Sequence, residues 1–324
     1  MTVAIVGGTG FLGTAIAKAL VARGADVVQI ARGRRTETPT PGARFARSDK
    51  ADAETLVDLF RRYGVREVVD VMTLTLATTA PLLAATARAG ARYVMISAID
   101  VTANYAGLAR LETPPVLDRP TREDDPRRTV LYPYRTLPAR PAGIDPALLR
   151  DYDKIPIEDA ARADPALRAL ILRLPAIWGP GDPQRRFGWL LPALSSGGPG
   201  GAPLRMDARA AGWRQSMIYI DDAGDAVARA TLSDVGHRVL NVAPPDPRTM
   251  GDWAARLARA AGAPVPREGI ETVPPEARGL MADRADATDM RYPLTLDGAA
   301  YARLFGPVEI VPEAAALAAT LAAG

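Results

Sequence analysis

The chain has 324 residues, 48% of them hydrophobic, and sets 40 Lys and Arg against 37 Asp and Glu for a net charge of +3. That length exceeds one typical domain, and the apolar share is ample for a core. The lack of cysteine excludes disulfides, thiolate metal sites and a cysteine nucleophile. No metal site is expected, because the lone His237 cannot build a His cluster. The basic residues are spread along the chain, so no nucleic-acid partner is expected; a local cluster occurs at Arg32, Arg34 and Arg35. No apolar run is long enough to span a bilayer, and no leader-like segment precedes the first strand at residue 3. A cytoplasmic protein with a small-molecule partner and no membrane partner is therefore expected, with homodimerisation left open.

In chain order, Val3–Val6 reads as a strand and Phe11–Arg23 as a helix closed by Gly24. Asp26–Ile30 and Arg44–Ala46 follow as strands, then a helix Ala53–Tyr63 ended by Gly64. A strand Glu67–Met72, a helix Ala77–Ala89 and a strand Tyr93–Ser97 complete the alternation. This regular succession predicts a doubly wound parallel sheet of Rossmann type. Residues 103–150 then lose periodicity and read as a long irregular insertion. Beyond it come a helix at about Lys154–Ala163, a strand Ala169–Leu174 and a Gly/Pro-rich stretch Ser195–Pro203. Met217–Ile220 and Arg238–Val242 read as strands, and Asp222–Thr231, Met250–Ala261 and Glu313–Ala323 as helices. The expected division is a dinucleotide-binding domain over 1–176, with returns at about 216–243, and a mainly substrate-binding region over 177–324.

The strongest local signal is the turn between the first strand and the first helix. Gly7, Gly10 and Gly13 are spaced G-x-x-G-x-x-G there. Glycine permits tight backbone geometry and lets a pyrophosphate approach the main chain. The helix start then presents free N–H donors and a partial positive charge. Gly7, Thr9, Gly10, Phe11, Leu12 and Gly13 are the candidate cofactor-binding residues of this loop. An Asp or Glu at the end of the second strand would hold the adenosine ribose and mark NAD. The sequence there, Gln29-Ile30-Ala31-Arg32-Gly33-Arg34-Arg35, has no acid. Arg32 and Arg34 suit a 2′-phosphate, so NADP is favoured over NAD.

These motifs together resemble the extended short-chain dehydrogenase/reductase superfamily of the NAD-dependent epimerase/dehydratase type. The resemblance rests on GGTGFLG at 7–13, Arg92-Tyr93-Val94-Met95-Ile96-Ser97, Leu172 to Gly181, Ile218-Tyr219-Ile220-Asp221-Asp222-Ala223 and Asn241-Val242. It implies an oxidoreductase or epimerase/dehydratase acting by hydride transfer on a carbonyl or hydroxyl compound, sugar-like in many relatives. It further implies that Asp49 lies near the adenine, and that Arg185, Arg186 and Arg214 lie in substrate-contacting segments. A catalytically inactive dinucleotide sensor or scaffold is the alternative.

The catalytic signature departs from the family's Tyr-x-x-x-Lys. Lys154 and Glu158 keep their mutual spacing, but Arg150 holds the tyrosine position and Tyr152 stands two before the lysine. On one continuous helix, residues two apart face different ways. Pro156 must lie in a first turn, so the helix is expected to start near Asp153, leaving Tyr152 in non-helical backbone free to aim at the cleft. Tyr152 and Lys154 are therefore the expected acid/base pair, the ammonium lowering the phenol's pKa and also serving the cofactor. Tyr132 and Tyr134 are reserve acids, and Tyr134 is also a candidate substrate contact. Ser97 is the candidate catalytic hydroxyl, although Ala98 holds the family's register and neighbours on a strand face opposite ways.

Overall fold

The structure is a computed structural model and describes residues 1–33, 38–137, 145–196, 204–263, 265 and 270–323. Its strands are β1 Thr2–Val6, β2 Asp26–Ala31, β3 Arg44–Arg47, β4 Val65–Asp70, β5 Arg92–Ala98, β6 Leu170–Leu174, β7 Ala176–Trp178, β8 Arg205–Asp207, β9 Met217–Tyr219, β10 Arg238–Asn241 and β11 Glu271–Val273. Its helices are α1 Phe11–Ala22, α2 Ala53–Tyr63, α3 Leu76–Arg88, α4 Ala103–Leu108, α5 Pro146–Leu149, α6 Ile155–Ala163, α7 Leu191–Ser196, α8 Ala208–Ala211, α9 Ile220–Thr231, α10 Met250–Ala260, α11 Ala282–Ala287, α12 Ala299–Phe305 and α13 Glu313–Ala323.

Seven strands form one parallel sheet in the order β10-β6-β5-β4-β1-β2-β3. The chain therefore reverses its build direction between β1 and β4, and a crevice opens at the carboxyl ends of those strands. Both faces of the sheet are covered, which is why its central strands read as continuous apolar runs. On one face α1 and α9 pack over Val3, Ile5, Val94, Ile96 and Leu172. On the other, α2, α3 and α6 cover Ala4, Val28, Val68, Tyr93 and Met95. Alternation along β5 thus assigns Ser97 to the α6 face and Ala98 to the opposite one.

Most expected helices and strands form near their predicted positions, with three differences. The insertion is not structureless: Thr102 caps α4, its side chain accepting from the Tyr105 N–H, and single turns form at Pro133–Arg135 and α5. Glu112 Oε1 accepts the Thr129 N–H at 2.7 Å, and the buried Arg128 reaches back to the Asp100 carbonyl at 2.9 Å. Secondly, β9 does not return to the main sheet. Pro175 has no N–H to continue the β6 ladder, and β7 beyond it pairs with β9 in a separate two-stranded sheet. Thirdly, β8 and β11 form another small parallel pair where no strand was expected. Trp178, Phe187, Tyr219 and Trp253 stack with centroids 5.0–5.7 Å apart to give this second region its own aromatic core. Among the described residues no helix is long and apolar enough to cross a membrane.

Candidate active site

The turn from β1 to α1 has the geometry that phosphate binding needs. Gly7 has φ +79°, a left-handed conformation open to glycine. A β-carbon on Gly13 would lie 2.3 Å from the Gly7 carbonyl oxygen and 2.7 Å from Gly8 Cα, so only glycine lets α1 pass this close to the turn. Buried Gln29 holds the loop from behind: Nε2 donates to the Gly8 carbonyl at 2.5 Å, and Oε1 accepts the Thr40 N–H at 2.7 Å. Gly10 is the N-cap of α1 without a side-chain capping bond, and the first turn has no acid. Its backbone donors and positive dipole end are therefore left for an anion. The groove in front has a volume of about 560 Å³ and is lined by Gly7, Thr9, Gly10, Arg32, Asp49 and Met72 among others. This chain's residues fit a dinucleotide. When bound, such a cofactor would supply hydride acceptance or donation; the loop would hold its pyrophosphate.

Two of the chain's three lysines fix the floor of that groove. Lys50 Nζ donates to the Met72 carbonyl, Asp70 Oδ2 and Thr79 Oγ1 at 2.8, 2.8 and 3.0 Å. Lys154 Nζ donates to the Thr73 carbonyl, Thr73 Oγ1 and the Ile96 carbonyl at 2.9, 2.7 and 3.3 Å. The Asp153 N–H donates to the Leu74 carbonyl at 3.0 Å. Three consecutive carbonyls after β4 are thereby pinned. An ammonium has three donors, so all those of Lys154 are committed to the protein. This is a geometry a planar guanidinium would not reproduce, a reason for lysine in a chain otherwise dominated by arginine.

Next to Lys154 lies a buried phenol cluster. Tyr152 precedes α6 in non-helical backbone, as Pro156 in the first turn requires; Asp153 Oδ1 accepts the Ile155 N–H at 2.9 Å, and the helix itself begins at Ile155. Tyr152 Oη donates to Asp100 Oδ2 at 2.6 Å. Its ring meets that of Tyr134 edge-on at 5.3 Å, and the Tyr105 hydroxyl donates to the Tyr134 hydroxyl at 3.3 Å. Desolvation, then the Asp100 carboxylate, push the Tyr152 phenol well above its ordinary value. The same causes in the same order raise Tyr134 to about 12. Desolvation lowers Lys154 and raises Asp100, the latter against the pull of Lys154 and Arg128. The expected lowering of the phenol by Lys154 is therefore not found. The ammonium stands 5.7 Å from the ring centroid with its protons directed elsewhere, and a carboxylate holds the phenol's proton.

Residues 3–121 match the NAD dependent epimerase/dehydratase family. No curated protein matches the chain. Among solved structures, UDP-glucose 4-epimerase from Thermus thermophilus with NAD is 22% identical, with a TM-score of 0.62 over 100% of this chain and 98% of that one. A nucleoside-diphosphate-sugar epimerase from Pseudomonas aeruginosa is 19% identical, with a TM-score of 0.66 over 100% and 97%. The dTDP-glucose 4,6-dehydratase from Bacillus anthracis with NAD is 14% identical, with a TM-score of 0.65 over 100% and 96%. The chain has the fold of these epimerases and dehydratases.

Within the epimerase/dehydratase fold the expected site residues separate into groups. Tyr152, Lys154, Tyr134 and Arg186 come together: Arg186 lies close enough for its charge to act on Tyr134 and for both phenols to act on it. Arg186 Nε is buried without a hydrogen-bond partner among the described residues. Ser97 is not part of this group. Its hydroxyl donates to Glu158 Oε1 at 2.6 Å on the α6 face, because Ser97 and Arg173 are register partners and Glu158 lies under both. Arg214 binds the Asp118 carboxylate and carbonyl. Arg185 lines a cleft with Gly181, Phe187, Leu191 and Arg186 itself. Tyr132 lies under the Arg135 guanidinium, 4.1 Å from its ring centroid. Arg34 falls outside the described residues.

Two residues of the cluster escaped sequence reasoning. Asp100 had one available signal, its place three residues beyond Ser97, just after the segment compared with the family. Arg284 had none. It stands 5.1 Å over the Trp213 ring, lines a cleft of about 350 Å³ with Trp189, and has its pKa lowered by desolvation and then by Arg186.

Proposed function

We propose that this protein is an NAD(P)-dependent oxidoreductase or epimerase/dehydratase acting on a hydroxyl or carbonyl carbon of an anionic, sugar-like substrate, a nucleoside-diphosphate sugar being the favoured class. The observation that carries this reading is the juxtaposition of an uncapped, glycine-lined helix start with the buried Tyr152–Lys154 corner, joined by the pinned loop of residues 72–74. Tyr152 would move the proton of the substrate oxygen, and Lys154 would hold the floor and supply positive charge behind it. Tyr134 would wall the substrate. Arg186, with an unpartnered Nε, and Arg284 would meet the anionic portion. The names of the similar structures, UDP-glucose and dTDP-glucose enzymes, support that substrate class. The deciding experiment supplies cofactor deuterated at the nicotinamide C4 with a panel of nucleoside-diphosphate sugars. Label transfer is expected, and Tyr152→Phe should slow turnover about 100-fold or more while cofactor affinity stays near normal. Full activity in Tyr152→Phe would remove that tyrosine, and no transfer to any substrate would favour the sensor alternative.

NADP is the favoured cofactor because exposed Arg32 lines the groove at the end of β2, and residues 29–35 contain no acid to take the ribose hydroxyls. Arg32→Ala is expected to weaken NADPH binding about 10-fold or more, the size of a charge-assisted hydrogen bond, and to leave NADH nearly unchanged. Fluorescence titration with both coenzymes reads this directly; equal losses for both would return the preference to NAD.

A further inference from the structure

The buried carboxylates of this chain differ in how fully they are paired. Asp153 accepts from Arg128 Nη1 and Nη2 at 3.0 and 2.6 Å and from the Tyr132 and Ile155 N–H groups at 2.7 and 2.9 Å. Glu158 accepts from Ser97 and twice from Arg173, with Arg127 at 3.4 Å. Asp70 accepts from Lys50, Tyr93 Oη and the Met72 N–H. These are carboxylates that hold a fold. Asp100 is different: Oδ2 accepts from the Tyr152 hydroxyl, and Oδ1, also buried, has no partner among the described residues. A buried oxygen left open calls for an explanation beyond packing. Asp100 also occupies the short turn Ile99–Val101 at the carboxyl end of β5, beside the residues assigned to proton handling.

We propose that Asp100 is the second station of a proton relay, with Tyr152 passing its proton to Asp100 Oδ2 as it takes one from the substrate hydroxyl. This rests on the functional reading above and replaces Lys154 with Asp100 as the group that activates the phenol. In the oxidising direction the substrate O–H proton forms a new bond to Tyr152 Oη, and the phenol's own proton forms one to Oδ2. A nicotinamide cofactor, when bound, would supply the acceptor for the electron pair of the substrate C–H bond, taken as hydride. The Tyr152 oxygen remains neutral throughout, which removes the need for a phenolate in a desolvated site. Reduction runs the same transfers backwards. The groups facing Asp100 are Lys154, Arg128, Tyr152, Asp153, Tyr105 and Tyr134. The two cations keep the carboxyl available as a base, while burial keeps its proton affinity high enough to accept.

The test compares Asp100→Asn, Asp100→Glu and Lys154→Met with the wild-type chain. Proton NMR should show a strongly downfield resonance for the Tyr152–Asp100 bond. It should vanish in Asp100→Asn and in Tyr152→Phe and persist in Lys154→Met. With cofactor and the best nucleotide sugar, Asp100→Asn should lower kcat about 100-fold and lose the acidic limb of the pH profile. Asp100→Glu should restore that limb, and NADPH affinity in all variants checks that the groove is intact. Activity of Asp100→Asn within threefold of wild type, with the acidic limb unchanged, overturns the relay while leaving the functional reading standing. Absence of turnover by the wild-type chain removes both.

Discussion

Gly13→Ala is expected to abolish measurable dinucleotide binding. The argument is steric and local. The added carbon would sit 2.3 Å from the Gly7 carbonyl oxygen and 2.7 Å from Gly8 Cα, with backbone rather than a flexible side chain as the obstacle. Relief requires α1 and the turn to separate by roughly 1 Å, since carbon contacts settle near 3.5–4 Å. That shift moves the first-turn N–H groups away from any phosphate they would hold. Losing two charge-assisted hydrogen bonds costs about 3–6 kcal/mol, a loss of more than about 100-fold in affinity. Gly24→Ala is the control. Gly24 also has positive φ, +75°, but a β-carbon there meets nothing within 4 Å. It should cost about 1–2 kcal/mol of stability for the left-handed conformation and leave binding unchanged. NADPH fluorescence titration decides; affinity in Gly13→Ala within tenfold of wild type would show that the turn can accommodate the carbon.

The parallel sheet was legible because each signal was local and repeated: an apolar run, a helical stripe and a terminal glycine at 24, 64 and 90, whose φ values are +75°, +61° and +64°. The entry of Tyr152 was legible for the same reason. Pro156 alone limits where α6 can begin. What could not be read depends on which groups the fold brings together. Asp100 gains its meaning from Tyr152, 52 positions away, and Arg284 from Trp213 and Arg186. No spacing encodes such meetings. Lys154 is the instructive case. Its residue type and placement pointed to the active corner, but its proton acceptors are the Thr73 carbonyl and hydroxyl in the loop after β4 and the Ile96 carbonyl of β5. Whether a lysine activates a phenol or pins a loop is decided by the nearest acceptors, which are tertiary.

Arg173→Met is expected to be among the most destabilising single changes in the sheet. Arg173 and Glu158 are 2% and 0% exposed and join through two hydrogen bonds of 2.9 and 2.7 Å. Removing the guanidinium leaves a buried carboxylate with Ser97 at 2.6 Å and Arg127 at 3.4 Å. Breaking such a pair costs about 3–5 kcal/mol, because the remaining charge is desolvated and uncompensated. The melting temperature should fall by roughly 6–20 °C. The pH dependence carries a definite sign. Burial pushes Glu158 up, but the Arg173 hydrogen bonds and charge, with Ser97 and Arg127, outweigh it and hold the carboxyl below its ordinary 4.5. A depressed folded-state pKa contributes stability above the unfolded value and loses it as pH falls through the folded one. Wild type should therefore lose stability below about pH 4.5 as this carboxylate is protonated. In Arg173→Met the deficit should already shrink as pH falls toward that value, because the unpaired buried carboxylate takes up a proton more readily than in the unfolded chain. The double variant Arg173→Met/Glu158→Met should recover most of the loss, since a buried ion pair contributes little relative to apolar side chains of similar volume. Urea unfolding of these three proteins at neutral and acid pH measures each step. A single variant within about 1 kcal/mol of wild type would mean that Arg127 and Ser97 suffice to hold the carboxylate beneath β5.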